Sequence, residues 1–310
     1  MSRPLRRALA RSALALALAL VACGDPPAPE PDSTRVTLAI DGVGELPIHL
    51  NPNDRMITPM VLEKRHWEPI ETHWFVQSLR PGDVVVDVGA NVGYYTLIAS
   101  RLVGETGRVY AFEPDPESFA LLTRNVRESG LDNVVLEQKG VSDRAGTLEL
   151  YLSESNRGDH RIFQPEGESR RTIEVESVAL DDYFAGRHAE VDFVKIDTQG
   201  AELLILRGMR EILAGNDRLV LAVEYAPKLL REFGFDALEL LDLLEANDFR
   251  FFDMNVPVKA GLFETDRAVL QKYYRDRSDF FTNLLSVKAP VVEAGTDAPG
   301  FPRPEAPPAG

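Results

Sequence analysis

Residues 84–96 read VVVDVGANVGYYT and join a short β-branched run to a turn that contains two glycines. The run Val84–Val88 has the composition of a strand that is buried on both faces of a parallel sheet. Gly89 and Gly93 follow it, and glycine lets a backbone turn approach a ligand closely. A helix pattern starts at Gly93. The stretch therefore predicts a strand, a turn and a helix at one end of an α/β sheet.

The rest of the chain repeats this alternation of strands and helices. Strand patterns occupy 84–88, 108–112, 134–139, 191–197, 218–224, 250–253 and 280–286, and helix patterns occupy 67–79, 93–103, 116–129, 201–214, 235–247 and 263–274. This order predicts a mostly parallel sheet with helices on both faces. Residues 147–178 interrupt it and predict a β-hairpin insert with a polar loop, the kind of segment that often carries function.

The charge and the two chain ends limit the partners and the location. The 310 residues carry a formal net charge of −15, so we expect no nucleic-acid partner. Four arginines precede the apolar run Ala13–Ala22, which is too short to span a bilayer and is typical of a signal peptide. The run ends in Leu-Val-Ala-Cys, which resembles a bacterial lipobox. Cys23, the only cysteine, is therefore expected to be lipidated and to anchor the protein at the membrane of a bacterial cell envelope.

Composition divides the chain into four parts. Residues 1–22 form the predicted signal peptide, and the proline-rich segment 23–34 is typical of an extended tether. Residues 35–288 carry the alternating pattern and form the predicted folded domain. The proline-rich tail 289–310 is predicted to be disordered. The sequence leaves the oligomeric state open.

Two carboxylates lie close to the glycine turn in the predicted sheet. Asp87 precedes the turn, and Glu113 follows the next strand, 20 residues beyond Gly93. Ligands bind at the carboxyl ends of such strands, and an acid at this spacing can accept hydrogen bonds from both ribose hydroxyls. The G-x-x-x-G spacing differs from the G-x-G-x-x-G of dinucleotide sites, and Asp87 suits a cation better than a pyrophosphate. We therefore favour S-adenosylmethionine over a dinucleotide, with a turn that only assists packing as the third alternative.

Five segments resemble, in the same order, those of the FkbM family of S-adenosylmethionine-dependent O-methyltransferases. They are DVGANVGYYT (87–96), FEPDPESF (112–119), KGVSDRAG (139–146), VDFVKIDTQGAELLILRGM (191–209) and VLAVEYAP (220–227). The resemblance covers Trp67 to Ser286. It implies the Rossmann-like class I methyltransferase fold, with a seven-stranded sheet and one antiparallel strand. It also implies methyl transfer to a hydroxyl on a small molecule, a sugar or a lipid headgroup.

The resemblance also implies roles for individual residues. Glu113 is expected to hold the ribose of the donor, Val141 and Ser142 to touch its adenine, and the glycine turn to line its methionine end. Asp197 is expected to face the sulfonium. The chain departs from the commoner family form at Gln199, where a glutamate is often found. The implied donor-binding residues are Asp87, Gly89, Asn91, Gly93, Glu113, Val141, Ser142 and Asp197.

Methyl transfer to oxygen needs a group that positions the acceptor and helps to remove its proton. Asp197, at the end of the fourth strand, is the best-placed candidate. Lys195 shares its strand face and either assists it or forms a plain buried ion pair with Asp197 or Glu224. His160, in the loop of the insert, is a second candidate base at neutral pH. No set of hard oxygen ligands is evident, so no metal is assigned.

A different class of protein remains open as the alternative. S-adenosylmethionine is made in the cytoplasm, so an exported enzyme would lack its donor. A membrane-tethered binding protein that keeps the fold without catalysis would resolve this conflict, as would a later start of translation. The presence of Gly89, Gly93, Glu113 and Asp197 favours the enzyme, because a decayed site need not retain them.

Overall fold

The computed structural model describes residues 31–187, 190–255, 262–275 and 281–288. The chain divides into two compact units at residue 31, and almost all described residues belong to the second unit. The predicted signal peptide, Cys23, most of the tether and the predicted tail lie outside the described residues. Within the described ranges, no helix has the length and apolar character needed to cross a membrane.

The secondary-structure elements are numbered here in chain order. They are β1 (Thr34–Ile40), β2 (Gly44–Leu50), α1 (Ile57–Lys64), α2 (Pro69–Ser78), β3 (Val84–Val88), α3 (Tyr94–Val103), β4 (Arg108–Phe112), α4 (Pro116–Glu128), β5 (Val134–Glu137), β6 (Gly140–Val141), β7 (Gly146–Leu152), β8 (Arg171–Val178), α5 (Leu180–Phe184), β9 (Phe193–Ile196), α6 (Glu202–Arg207), α7 (Arg210–Gly215), β10 (Val220–Tyr225), α8 (Pro227–Phe233), α9 (Ala237–Glu245), β11 (Phe249–Asp253), β12 (Phe263–Thr265), α10 (Arg267–Arg275) and β13 (Thr282–Lys288).

The central sheet has the strand order β12-β11-β13-β10-β9-β3-β4-β5. Neighbouring strands from β10 to β5 pair in parallel, and β13 runs antiparallel to both β10 and β11. These seven strands confirm the predicted class I arrangement with its one antiparallel strand. The short edge strand β12 is an eighth, and it pairs antiparallel to β11.

Both faces of the central sheet are covered by apolar side chains, as its parallel strands require. Neighbouring residues Val85 and Val86 of β3 are fully buried and belong to two separate apolar clusters, one on each face. The cluster that contains Val85 also includes Leu38 and Ile48 of the β1–β2 hairpin. The hairpin therefore packs on the same side of the sheet as α3, next to the glycine turn.

Several predicted boundaries are wrong. The predicted helix 263–274 begins as strand β12, and α10 starts at Arg267; the last strand lies two residues later than predicted. The predicted helix 201–214 is divided into α6 and α7 around Gly208. A Cβ atom at Gly208 would lie 2.1 Å from the carbonyl oxygen of Ser142, so this position packs directly against another backbone segment. The hairpin β1–β2 and helix α1 were not predicted.

The predicted insert is confirmed as a hairpin. Strands β7 and β8 pair antiparallel, and β6 joins β8 to complete a three-stranded sheet. Its loop is held against the N-terminal segment by two hydrogen bonds that backbone N–H groups donate, one to a side chain and one to a carbonyl. The Arg157 N–H donates to Asp54 Oδ2 at 2.6 Å, and the Arg55 N–H donates to the Ser155 carbonyl at 2.9 Å.

Candidate active site

A cavity of about 600 Å³ lies at the carboxyl ends of β3, β4 and β9, where ligands bind in open α/β sheets. Its walls include the turn after β3, the ends of β4, β9 and β10, the insert, and the segment from Leu38 to Glu68, together with residues of α8 and residues at the start of β13. The cavity is within the size range of small-molecule sites. The insert and the N-terminal segment thus complete the walls of a site at the carboxyl edge of the sheet.

The glycine turn has the geometry that the sequence predicts. Gly89 has a φ of 78°, and a Cβ atom there would lie 2.1 Å from the Asp197 carbonyl oxygen. Gly93 has a φ of 93°, and its Cβ would lie 2.6 Å from Leu122 Cδ1. Between them, Asn91 adopts a left-handed φ of 50° and lines the cavity. Only glycine allows this turn to lie so close to the end of β9.

Glu113 fixes the turn from the neighbouring strand. Its Oε2 accepts a hydrogen bond from the Asn91 N–H at 2.8 Å, and its Oε1 accepts one from the Asp115 N–H at 2.9 Å. Burial raises the pKa of Glu113 to about 8, although both backbone N–H groups oppose the rise. A carboxylate has about four acceptor positions, so capacity remains for the two hydroxyls of a ribose. Glu113 lines the cavity, as a ribose-binding residue must.

Asp87 lies beneath the turn and is absent from the cavity wall. It is 1% exposed, its Oδ2 accepts a hydrogen bond from Thr96 Oγ1 at 2.6 Å, and its Oδ1 lies 3.8 Å from Lys195 Nζ. Burial raises the pKa of Asp87, and the Lys195 charge opposes this rise. These contacts give Asp87 a supporting position behind the turn, and its direct contact with a donor stays a prediction.

Asp197 and Lys195 form the predicted pair at the end of β9. Lys195 Nζ lies 3.5 Å from Asp197 Oδ2, and the lysine is almost completely buried. Burial alone would lower the pKa of Lys195, but the charges of Asp197, Asp87 and Glu68 raise it. Lys195 is therefore a permanent cation at neutral pH. It stabilises negative charge in the site and does not accept a proton there.

The hydrogen bonds of Gln199 account for a glutamine in place of the commoner glutamate. Its Nε2 donates to Asp197 Oδ1 at 3.0 Å and to Glu224 Oε2 at 3.2 Å. A neutral amide can bridge two carboxyl groups in this way, whereas a third carboxylate would repel them. The residue has a left-handed φ of 57°, a strained backbone state that is enriched at functional sites.

His160 lines the cavity, and one of its two ring nitrogens is engaged in a hydrogen bond. Its Nδ1 accepts a hydrogen bond from the Ser153 N–H at 3.0 Å, which places the ring proton on Nε2. Nε2 is buried without a hydrogen-bond partner and points toward Asp115 Oδ2 at 3.8 Å. This geometry favours a role in fixing the insert loop over the predicted role as a base, which remains untested.

Of the two residues predicted to touch adenine, Val141 and Ser142, only the first lines the cavity. Val141 lines the cavity, while Ser142 is buried outside its wall and donates its N–H to the Val178 carbonyl at 3.0 Å. Among the described residues, no group of three His, Cys, Asp or Glu side chains is arranged to hold a metal ion.

Sequence reasoning missed two features of the cavity. One is Glu68, a half-buried acid whose Oε2 accepts a hydrogen bond from Tyr95 Oη at 2.8 Å. The other is an apolar wall from the N-terminal segment, which includes Met56, Ile57 and Met60. The position of an acid directly before Pro69, at a helix start, is the one local signal for Glu68. The apolar wall also includes Leu38 of β1, and for this residue the alternating apolar pattern of β1 was a signal.

The groups around the cavity fit S-adenosylmethionine. Glu113 offers acceptor positions for a ribose, the glycine turn leaves room for close approach, and Glu68 and Asp197 suit a ligand with positive charges. A pyrophosphate would meet these acids unfavourably. Fold and site together define a class I methyltransferase, an α/β protein that binds a nucleoside methyl donor at the carboxyl edge of its sheet.

Residues 87–251, just over half of the chain, match the family described as Methyltransferase FkbM domain. The chain belongs to this family, and its cofactor is S-adenosylmethionine. The match covers the glycine turn, Glu113 and the end of β9. The family prediction from the sequence is therefore confirmed, and the signal peptide stays a prediction.

Individual relatives agree with this assignment. The chain is 31% identical over 206 residues to the 31-O-demethyl-FK506 methyltransferase FkbM of Streptomyces tacrolimicus, covering 54% of this chain and 78% of that protein. It is 28% identical over 139 residues to the hexuronic acid methyltransferase AglP of Haloferax volcanii, covering 44% of this chain and 54% of that protein. The chain thus spans only about half the length of the second relative.

One solved structure illustrates the level of structural likeness. The S-adenosylmethionine-dependent O-methyltransferase of Thermotoga maritima is 15% identical, and the comparison covers 83% of this chain and 77% of that chain with a TM-score of 0.39. A TM-score this low carries no argument about the substrate.

Proposed function

We propose that the protein transfers the methyl group of S-adenosylmethionine to the oxygen of a hydroxyl on a small molecule, a sugar or a lipid headgroup. The observation that carries this proposal is the set of carboxyl groups beside the glycine turn, where Glu68, Asp197 and Glu224 line one cavity. Carboxyl groups can orient a hydroxyl and assist its deprotonation. The name of one relative refers to a 31-O-demethyl substrate and that of the other to a hexuronic acid. Both names agree with an oxygen acceptor.

Different residues of the chain have different roles in this reaction. When bound, the donor supplies an electrophilic methyl group on a positively charged sulfur. Glu113 holds the ribose, and the turn around Asn91 accommodates the methionine end. Lys195 and Gln199 hold the Asp197 carboxylate in one orientation, so that it can orient an acceptor hydroxyl. The insert covers the cavity and limits the access of water.

The acceptor side of the cavity is apolar. Met56, Ile57 and Met60 contribute to its wall, and Met56 and Phe281 are more than half exposed at 53% and 52%. Exposed apolar side chains that line a cavity mark a binding surface for apolar groups. We therefore expect the hydroxyl to be carried by a partly apolar molecule. A non-catalytic binding protein is the less favoured alternative, because it would not need this network of acids.

Replacing residues 156–161 with a Gly/Ser loop tests the acceptor side. Asn156, Gly158 and His160 line the cavity from the insert, so we expect donor affinity to stay within about tenfold, or roughly 1.4 kcal/mol. Transfer of labelled methyl to octyl glucoside or 1-octanol should fall far more. The matched control replaces the exposed residues 166–169 of the same insert and should change neither value.

Three outcomes of this experiment would contradict parts of the proposal. Loss of donor binding in the 156–161 variant would make the loop structural. Unchanged transfer would mean that the acceptor is held elsewhere. Label that enters octylamine but neither alcohol, in the unaltered protein, would contradict oxygen as the acceptor atom.

The location is a separate proposal, supported by the sequence alone. A lipidated Cys23 would hold the protein on a membrane, since a multiply acylated cysteine anchors stably whereas a single acyl chain does not. Cys23→Ser should move the protein from the membrane fraction to the soluble fraction of the cell. A wild-type protein that is already soluble and retains residues 1–22 would show this proposal to be wrong.

A further inference from the structure

Glu68 has an unusual backbone for a residue of its type and position. It directly precedes Pro69, the first residue of α2, and has a left-handed φ of 41°. Residues before proline favour extended backbone, and a left-handed non-glycine residue costs about 1–3 kcal/mol. The side chain makes no hydrogen bond that caps α2, the usual role of an acid at this place. The strained backbone instead places Glu68 in the cavity wall.

The surroundings of Glu68 come from four elements. Tyr94 and Tyr95 face it from α3, and Tyr95 Oη donates to its Oε2 at 2.8 Å. The Lys195–Asp197 pair faces it from β9. Two further acids, Glu71 of α2 and Glu224 of β10, interact with it electrostatically. No described group donates a hydrogen bond to Oε1, so this oxygen can accept a proton from a ligand.

These surroundings also set the pH at which Glu68 is ionised. Burial, and then the negative charge of Asp197, raise the pKa of Glu68 to about 7, while the Tyr95 hydrogen bond and the Lys195 charge oppose the rise. At neutral pH, Glu68 therefore exists in both forms. A base whose pKa lies near the working pH is ionised in a large fraction of the molecules and is still basic enough to drive proton transfer.

The other acids and bases of the cavity are less suited to this task. The two oxygens of Asp197 are held by Gln199 and by Lys195. His160 uses Nδ1 to accept a backbone N–H. Burial, first, and neighbouring acids raise the pKa of Glu224 well above its usual range, and its Oε2 already accepts a hydrogen bond from Gln199 Nε2.

We propose that Glu68 is the general base that removes the proton from the acceptor hydroxyl, an inference that rests on the proposed O-methyl transfer. Glu68 takes the hydroxyl proton on its free oxygen while the acceptor oxygen bonds to the methyl carbon and the electron pair of the broken carbon–sulfur bond returns to sulfur. The positive charge on sulfur and the negative charge on the carboxylate are then both neutralised. The proton later leaves to solvent.

The test compares Glu68→Gln with Glu71→Gln in the full chain. Glutamine can still accept the Tyr95 hydrogen bond but cannot accept the proton. Glu71 is a matched control, because it lies one turn further along α2 and burial raises its pKa too, although it does not line the large cavity. Glu68→Gln should lower methyl transfer to octyl glucoside or 1-octanol by about 100-fold or more, the range of general-base catalysis.

Three further readouts separate a base from a binding or structural role. Donor affinity by calorimetry should change less than about threefold, or roughly 0.7 kcal/mol, in Glu68→Gln. Infrared difference spectra of the donor-free protein should lose one carboxyl group that titrates near pH 7. In the wild type, transfer should rise as the pH increases through about 7, because only the carboxylate accepts a proton; Glu68→Gln should lack this rise. Glu71→Gln should keep the wild-type donor affinity, the infrared titration and the rise of transfer with pH. The titration and the rise should move to slightly lower pH, because the Glu71 charge raises the pKa of Glu68.

The results that would contradict the role of Glu68 as base differ from those that would contradict O-methyl transfer. Tenfold weaker donor binding with unchanged transfer at saturation would show that Glu68 binds the donor's ammonium group, and would overturn its role as base. Full transfer with an intact pH profile in Glu68→Gln would overturn it as well. If the wild type labels neither alcohol but labels octylamine, O-methylation fails. An infrared titration near pH 7 of undiminished amplitude in Glu68→Gln would then overturn the assignment of Glu68 independently, because Glu202, whose pKa burial also raises to about 7, supplies only part of the signal.

Discussion

Gly89→Ala is expected to lower the free energy of unfolding by about 3 kcal/mol, from overpacking together with a disfavoured left-handed φ. The new Cβ would lie 2.1 Å from the Asp197 carbonyl oxygen and 3.2 Å from its carbon. These are backbone atoms at the end of β9, and they cannot move without moving the Asp197 side chain. Donor affinity should therefore fall at least tenfold, or about 1.4 kcal/mol, in calorimetric titrations.

Gly234→Ala is the matched control for this variant. Gly234 also has a left-handed φ, of 98°, but a Cβ atom there would have nothing within 4 Å. It should cost only the conformational penalty of about 1–2 kcal/mol, with donor affinity unchanged. If Gly89→Ala were as stable as this control and bound the donor normally, the close packing of the turn against β9 would be wrong.

Glu113→Ala is expected to weaken donor binding by roughly 1.5–3 kcal/mol, through loss of its two hydrogen bonds to the ribose. The structure adds a second consequence. The N–H groups of Asn91 and Asp115 lose their acceptor, so the variant should also be less stable by about 1–3 kcal/mol for each group that stays buried. Thermal unfolding and calorimetry measure the two effects separately.

Glu137→Ala is the control for Glu113→Ala. Glu137 ends the neighbouring strand β5 and accepts a hydrogen bond from Tyr183 Oη at 2.8 Å, but it does not line the cavity. Its removal should leave donor affinity unchanged. Unchanged affinity in a folded Glu113→Ala variant would instead remove Glu113 from the donor site.

Glu113 should also make stability depend on pH. Burial raises its folded-state pKa from 4.5 to about 8, so folding favours the protonated form. Its contribution to stability is therefore complete below pH 4.5 and is lost as the pH rises through about 8. Glu113→Ala should show a smaller loss of stability over this range than the wild type.

The sequence predicted the glycine turn and the position of Glu113 beside it because their signals are local. Gly89 and Gly93 are required by a turn of a few residues, and Glu113 lies at a spacing that the strand–turn–helix unit imposes. The acceptor half depends on contacts between distant segments. Glu68 acquires its surroundings only when α2 packs beside β9, and no spacing in the sequence reports that contact.

Other differences have separate physical causes. The alternation of Val36, Leu38 and Ile40 is a strand signal that was present in the sequence but was not used, and all three side chains are buried on one face of β1. The His160 prediction relied on its residue type and on its place in the loop of the insert. Which ring nitrogen carries the proton depends on the Ser153 N–H, and only the folded loop shows this hydrogen bond.

A crystal structure of the protein with S-adenosylhomocysteine tests the central claim most directly. The predicted result places both ribose hydroxyls within hydrogen-bonding distance of the Glu113 carboxylate. It also places the sulfur in the cavity region bounded by Asn91, Glu68 and Asp197. A nucleoside bound away from Glu113, or a sulfur remote from these three residues, would contradict the donor site described here and the mechanism built on it.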